Sequence, residues 1–172
     1  MWVPGRDREK NLRMEEKTTR ILVFGDIHGM WDKFKNVYDK VKFNHETDLM
    51  IFLGDYVDRG IQPVQMMEWV ISHYGKKGMI FLRGNHEQMF YEAMTTHMTK
   101  DNILEVLGRS PKGVWYRNGG KETLQGLKES GRMEKLTSEW LKLIEKMPCY
   151  KEIEVSGKNI GLFMKIAIRM YH

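Results

Sequence analysis

Three short apolar runs, each closed by a glycine turn and a cluster of polar side chains, constrain this chain more than any other feature. Arg20–Phe24 (RILVF) runs into Gly25-Asp26-Ile27-His28-Gly29, and Leu49–Leu53 (LMIFL) runs into Gly54-Asp55-Tyr56-Val57-Asp58-Arg59-Gly60. Met79–Leu82 (MIFL) then runs into Arg83-Gly84-Asn85-His86-Glu87. Runs this short and continuously apolar read as buried strands. After the first, Phe34, Val37, Tyr38 and Val41 are spaced i, i+3, i+4, i+7, the apolar face of a helix over residues 31–42. After the second, Pro63 sits where it can open a helix, and Val64, Met67, Val70, Ile71 and Tyr74 line its inner face. Repeated strand–loop–helix units predict right-handed crossovers and parallel strands. Strands apolar on both sides are expected to be covered on both faces.

In an open α/β sheet, ligands collect at the carboxyl ends of parallel strands. The order of the three clusters therefore brings Asp26, His28, Asp55, Asp58, Arg59, Asn85 and His86 to one edge. Asp26 and His28, at i and i+2 of an extended segment, can lean the same way. Together with Asp55 they form a mixed oxygen and nitrogen donor set, suited to manganese, iron or zinc more than to magnesium or calcium. Asp55 can bridge two ions, and Asn85 can serve the second through its carbonyl oxygen. Two ions so placed would clamp a phosphate and generate hydroxide for in-line attack. Arg59 offers a planar donor fork for phosphate oxygens. Each cluster alone has an ordinary explanation: a surface ion pair, a turn, a capped helix. All three in order, each after a strand and about thirty residues apart, point to a metal site.

At these residues the chain resembles the calcineurin-like metallophosphoesterases, of the serine/threonine protein phosphatase type. GDIHG, GDYVDRG and LRGNHE match that family's three motifs, and the resemblance spans about residues 20–90, more loosely to about 160. It implies an α/β fold, a sandwich of mixed β-sheets flanked by α-helices, rather than a simple doubly wound sheet. It further implies two divalent ions, manganese first, with iron or zinc as alternatives. Asp26, His28 and Asp55 would hold one, and the bridging Asp55 and Asn85 the other. His86 would be the general acid oriented by Asp58, and Arg59, with Asn85, would hold the phosphate. The implied substrate is a phosphoprotein or a small phosphoester. A related branch hydrolyses diadenosine tetraphosphate symmetrically; an acidic Asp58 and a Glu at position 87 resemble the protein phosphatase branch instead.

The resemblance breaks toward the carboxyl end. The family supplies two further histidines to the second metal from later segments, and Lys165 stands where the first is expected. Only His172 lies beyond it, while His45, His73 and His97 lack ligand context. This predicts a chain lacking the family's carboxyl-terminal portion, with an incomplete second sheet and an impaired second metal site. Elsewhere the pattern predicts helices over residues 101–108, 120–129 and 138–147, and strands over Tyr150–Val155 and Ile160–Ile168. Trp115-Tyr116-Arg117-Asn118-Gly119-Gly120 reads as a turn with a packed aromatic, with Arg117 a second candidate for phosphate.

Composition bounds the rest. The chain of 172 residues, 41% apolar and 30% charged, suits one globular domain over residues 19–172 after a polar, disordered extension over 1–18. Met14 serves as well as Met1 for a start. The net charge of +5 is scattered, which argues against a nucleic-acid surface. No apolar run approaches the roughly 18 residues of a spanning helix, so no membrane role is expected. The single cysteine, Cys149, and the charged amino-terminal segment fit a cytoplasmic protein. Oligomeric state leaves no mark on the sequence.

Overall fold

The computed structural model describes residues 12–13, 18, 20–96, 110–155 and 158–163. Strands β2 (Arg20–Phe24), β3 (Asp48–Phe52) and β4 (Met79–Phe81) form a parallel sheet in the order β2-β3-β4. Helix α1 (Trp31–Val41) joins the first pair, α2 (Pro63–His73) the second, and α3 (Asn85–Thr95) follows β4. These are the crossovers the sequence pattern predicts. Register fixes where they lead. Phe24 pairs with Phe52 and Phe52 with Phe81, and their rings stack at 5.2 and 4.6 Å. This ladder aligns the carboxyl ends of all three strands in one layer.

Alternation along the strands sends the phenylalanines, with Leu22, Met50 and Met79, to one face and Leu49, Ile51, Leu53 and Ile80 to the other. The phenylalanine face packs on the helices in a core that includes Phe34, Tyr56, Phe90, Trp115 and Trp140. The opposite face carries Leu49, Ile51, Leu53 and Ile80, which meet Ile153 and Leu162 of a second sheet. That sheet runs β1-β5-β6, from β1 (Leu12–Arg13), β5 (Tyr150–Val155) and β6 (Lys158–Phe163). It is mixed, since β1 pairs with β5 parallel and β5 with β6 antiparallel. The sandwich implied by the resemblance is thus present, although the sheet carrying the polar clusters is parallel throughout among the described residues.

Three local expectations differ from what is found. β2 is not covered on both faces: Ile21 and Val23 are 38% and 54% exposed, because the second sheet lies over β3 and β4. The helix expected from residue 138 begins at Met133, which brings Leu136 onto the buried stripe with Trp140, Leu143 and Ile144. The segment expected as a turn is helical. Ser110 caps α4 (Pro111–Trp115) by accepting from the Gly113 N–H at 3.1 Å, and a wide helical turn over Tyr116–Gly120 leads into α5 (Lys121–Glu129). The longer helix is α6 (Met133–Lys146). Within the stretch read as an extension, Leu12 and Arg13 pair with Ile153 and Glu154. The helix expected at 101–108, the end of the strand expected to 168, His97, Lys165 and His172 lie outside the described residues.

Candidate active site

The loops leaving β2, β3 and β4 are tied to one another by backbone bonds. The N–H groups of Ile27 and His28 both donate to the Asp55 carbonyl, at 3.1 and 2.8 Å, and Gly29 N–H donates to Tyr56 at 2.7 Å. The chain adopts left-handed backbone angles at His28 (φ 48°), Asp55 (56°), Asp58 (71°) and Arg59 (65°). Such angles cost about 1–2 kcal/mol per non-glycine residue and persist only where surrounding contacts impose them. Close backbone approach adds a further demand. A Cβ at Gly60 would lie 2.1 Å from the His28 carbonyl oxygen, so that position must be glycine.

Glu87 imposes much of this geometry. It is fully buried, and its carboxylate accepts from the N–H groups of Asp55 (2.8 Å), Tyr56 (2.8 Å), Val57 (3.3 Å) and Gly84 (3.0 Å). Burial first, then the neighbouring Asp55 carboxylate, pushes the Glu87 carboxyl up to about 7, while the N–H groups of Asp55, Tyr56 and Gly84 pull it down.

The two imidazoles can be assigned tautomers. Arg59 sends Nη1 to His28 Nε2 at 2.7 Å and Nη2 to His86 Nε2 at 3.2 Å. A guanidinium has only donors, so both Nε2 atoms must accept. The Nδ1 protons therefore point the other way: His28 donates to the Val57 carbonyl at 3.0 Å, and His86 donates to Asp58 Oδ2 at 2.8 Å. The rings stand edge to face with centroids 4.5 Å apart.

His28, Asp55 and His86, all buried, each place a potential ligand atom within 4.8 Å of the other two. This nitrogen and oxygen set fits a divalent ion of the manganese, iron or zinc type. Asp26 is at the rim, its side chain 58% exposed and its Oδ2 3.9 Å from His28 Nε2. Asn85 is the first residue of α3, and the next N–H, that of His86, donates to Asp55 Oδ1 at 3.0 Å. The structure brings His28, Asp55, Asp58, Arg59 and His86 together, with one difference of grouping. His86, expected as a proton donor, also lies inside the cluster able to hold metal. His45 and His73 are engaged elsewhere, with the Lys77 and Trp69 carbonyls, and Arg117 is exposed.

Three site residues had no role in the sequence pattern: Glu87, Trp115 and Thr123. For Glu87 a signal exists, because an acid at the third helical position after a turn is a capping pattern. Trp115 and Thr123 reach Asp58 from 57 and 65 residues away, and no local motif announces that.

Comparison with known proteins decides the family. Residues 19–158 match the model of the calcineurin-like phosphoesterases. The chain belongs to that family of hydrolases. Members of this metallophosphoesterase family use divalent metals, and the His28–Asp55–His86 group is the matching feature in this chain. It is 29% identical over 139 residues to a serine/threonine-protein phosphatase 2 of Salmonella typhimurium, covering 81% of this chain and 55% of that protein. It is 27% identical over 88 residues to a symmetrical bis(5'-nucleosyl)-tetraphosphatase of Wigglesworthia glossinidia brevipalpis, covering 49% and 32% respectively. The hypothetical protein PH1004 of Pyrococcus horikoshii OT3 shares the fold, with a TM-score of 0.53 at 17% identity over 83% of this chain and 54% of that one. This metallophosphoesterase chain spans about half the length, or less, of the curated relatives it matches. Among the described residues no helix is long and apolar enough to cross a membrane.

Proposed function

We propose that this metallophosphoesterase hydrolyses phosphate monoesters, with phosphoserine or phosphothreonine in a protein as substrate, in the reducing cytoplasm. One observation carries the reading: a buried His86–Asp58 pair whose Nε2 opens beside the Arg59 guanidinium. Divalent ions, manganese preferred, would be held by Asp26, His28 and Asp55 and by Asp55 and Asn85. Bound there, they would polarise the phosphoryl group and lower the pKa of water.

The chain's own groups do the rest. Arg59 supplies two parallel donors for phosphate oxygens, and Asn85 adds its amide at the start of α3. His86, protonated on Nε2, gives that proton to the leaving alcohol oxygen as the P–O bond breaks. Asp58 keeps the ring oriented and stabilises its charged form through Nδ1–H. Burial of both groups excludes bulk water from the transfer. The acidic Asp58 and the Glu at position 87, which resemble the protein phosphatase branch, favour a protein substrate over a dinucleotide.

The test is turnover of p-nitrophenyl phosphate with added manganese, comparing the chain with Asp55→Asn and His86→Ala. Asp55→Asn should abolish activity, and His86→Ala should lower kcat by about 10²–10⁴, the usual range for a general acid. A folded, metal-loaded chain with no turnover would overturn the proposal. Faster release of product from diadenosine tetraphosphate than from a phosphopeptide would replace the substrate assignment and leave the chemistry.

A further inference from the structure

We propose that Trp115 and Thr123 are positioning residues that lock the Asp58 carboxylate against His86, and so fix which imidazole nitrogen faces the substrate. The inference rests on the reading of His86 and Asp58 given above and extends it to a segment outside the three motifs.

Asp58 is fully buried, and every side-chain bond it makes is to a donor. Trp115 Nε1 donates to Oδ1 at 2.9 Å and lies 3.1 Å from Oδ2. Thr123 Oγ1 donates to Oδ1 at 2.7 Å, and the same hydroxyl oxygen accepts the Asp58 N–H at 2.9 Å. His86 Nδ1 takes Oδ2. The hydroxyl thus uses its one proton and one lone pair on a single residue, from both ends. Rotating the carboxylate would break the bonds from Trp115 and Thr123 together, in a site where neither atom can turn to water.

Packing alone does not account for this. Trp140 lies in the same core, equally buried, and its Nε1 has no hydrogen-bond partner among the described residues. An indole here can be buried without a bond, whereas that of Trp115 is aimed at a carboxylate. The same segment also grips the next residue. The Gly119 carbonyl accepts the Arg59 N–H at 3.0 Å, and Gly119 itself stands at φ 101°, where a Cβ would come within 2.7 Å of Arg59 Cγ. The turn from Trp115 to Thr123 therefore holds Asp58 and Arg59 in their left-handed conformations from the outside.

The consequence is chemical. With Oδ2 fixed on Nδ1–H, the Nε2 lone pair of His86 faces Arg59 and the substrate position. If the carboxylate turns, the ring is free to flip or to carry its proton on the other nitrogen, and the relay loses its direction. Partners of this kind, one step removed from the reacting atoms, typically contribute 10–100-fold in activity.

The experiment reads the tautomer directly. The metal-free 172-residue chain is labelled with ¹⁵N-histidine and compared by NMR above pH 8 with Trp115→Phe, Thr123→Val and Thr123→Ser, each first shown to fold by circular dichroism. The parent should show His86 as a single Nδ1–H tautomer. Trp115→Phe and Thr123→Val should show a mixture, and Thr123→Ser should restore the single form. Kinetically, the first two should lower kcat on phenyl phosphate about 10–100-fold, with KM within about twofold, and should slow p-nitrophenyl phosphate less, since its better leaving group needs less acid help. A single tautomer in folded Thr123→Val, the milder variant, would overturn the proposal. A neutral parent His86 whose single proton sits on Nε2 rather than Nδ1 would overturn the underlying reading of the His86–Asp58 pair, and the proposal with it.

Discussion

Glu87 accepts four backbone N–H groups with two oxygens, and three of those groups belong to the consecutive residues Asp55, Tyr56 and Val57. A carboxylate is the only side chain that accepts on both sides at once. In Glu87→Gln the amide nitrogen must face one pair of donors, either Tyr56 and Val57 or Asp55 and Gly84. Leaving two buried donors unmet should cost roughly 2–4 kcal/mol in urea denaturation. Manganese affinity should fall as well, because the backbone of Asp55 loses its anchor. Isothermal titration would check the second effect; unchanged affinity in the folded variant would show that Glu87 braces the fold alone. The motif displays Glu87, but its partners are main-chain atoms, which have no sequence signature. Asp58 is the reverse case: the GDYVDRG motif displays it beside Arg59, while its two outside donors, Trp115 and Thr123, have no local signature.

At the scale of elements, the phenylalanine ladder decides whether the site exists. Phe24, Phe52 and Phe81 are the last residues of their strands and sit in register, one or two positions before the clusters that open at Gly25, Gly54 and Arg83. Phe52, fully buried at the centre and stacked on both neighbours, carries the alignment. Phe52→Ala should destabilise by about 3–5 kcal/mol, as large aromatic truncations do, and Phe52→Leu by clearly less. Thermal melting of the metal-free protein would measure both, and similar melting points would show that the ring stack is dispensable. This layer of the fold was open to sequence reasoning because three strands and two helices obey simple periods. Residues 110–120 were not, because a helix of five residues and a wide turn have too little period to detect, whereas the helix read over 120–129 is present as Lys121–Glu129. Pro111 and the Ser110 cap were the available signs of a helix start. The early beginning of α6 was masked by the polar residues Glu134, Lys135, Thr137, Ser138 and Glu139 around the stripe residue Leu136.

For the molecule as a whole, the parallel sheet has unequal protection. Every residue of β3 is buried between the helices and the second sheet, whereas β2, at the end of the strand order, presents Ile21 and Val23 outward. Among the described residues β2 pairs on one side only, and a sheet edge with apolar side chains beside it offers a template for another chain. Val23→Lys should leave unfolding free energy within about 0.5 kcal/mol, as surface changes do, and should reduce concentration-dependent association in sedimentation runs. Equal association by parent and variant would place the sticky surface elsewhere. The practical meaning reaches beyond one residue. Purified at high concentration, such a molecule can lose activity through clumping while every catalytic group stays in place, so a weak preparation says little about chemistry until its dispersity is known.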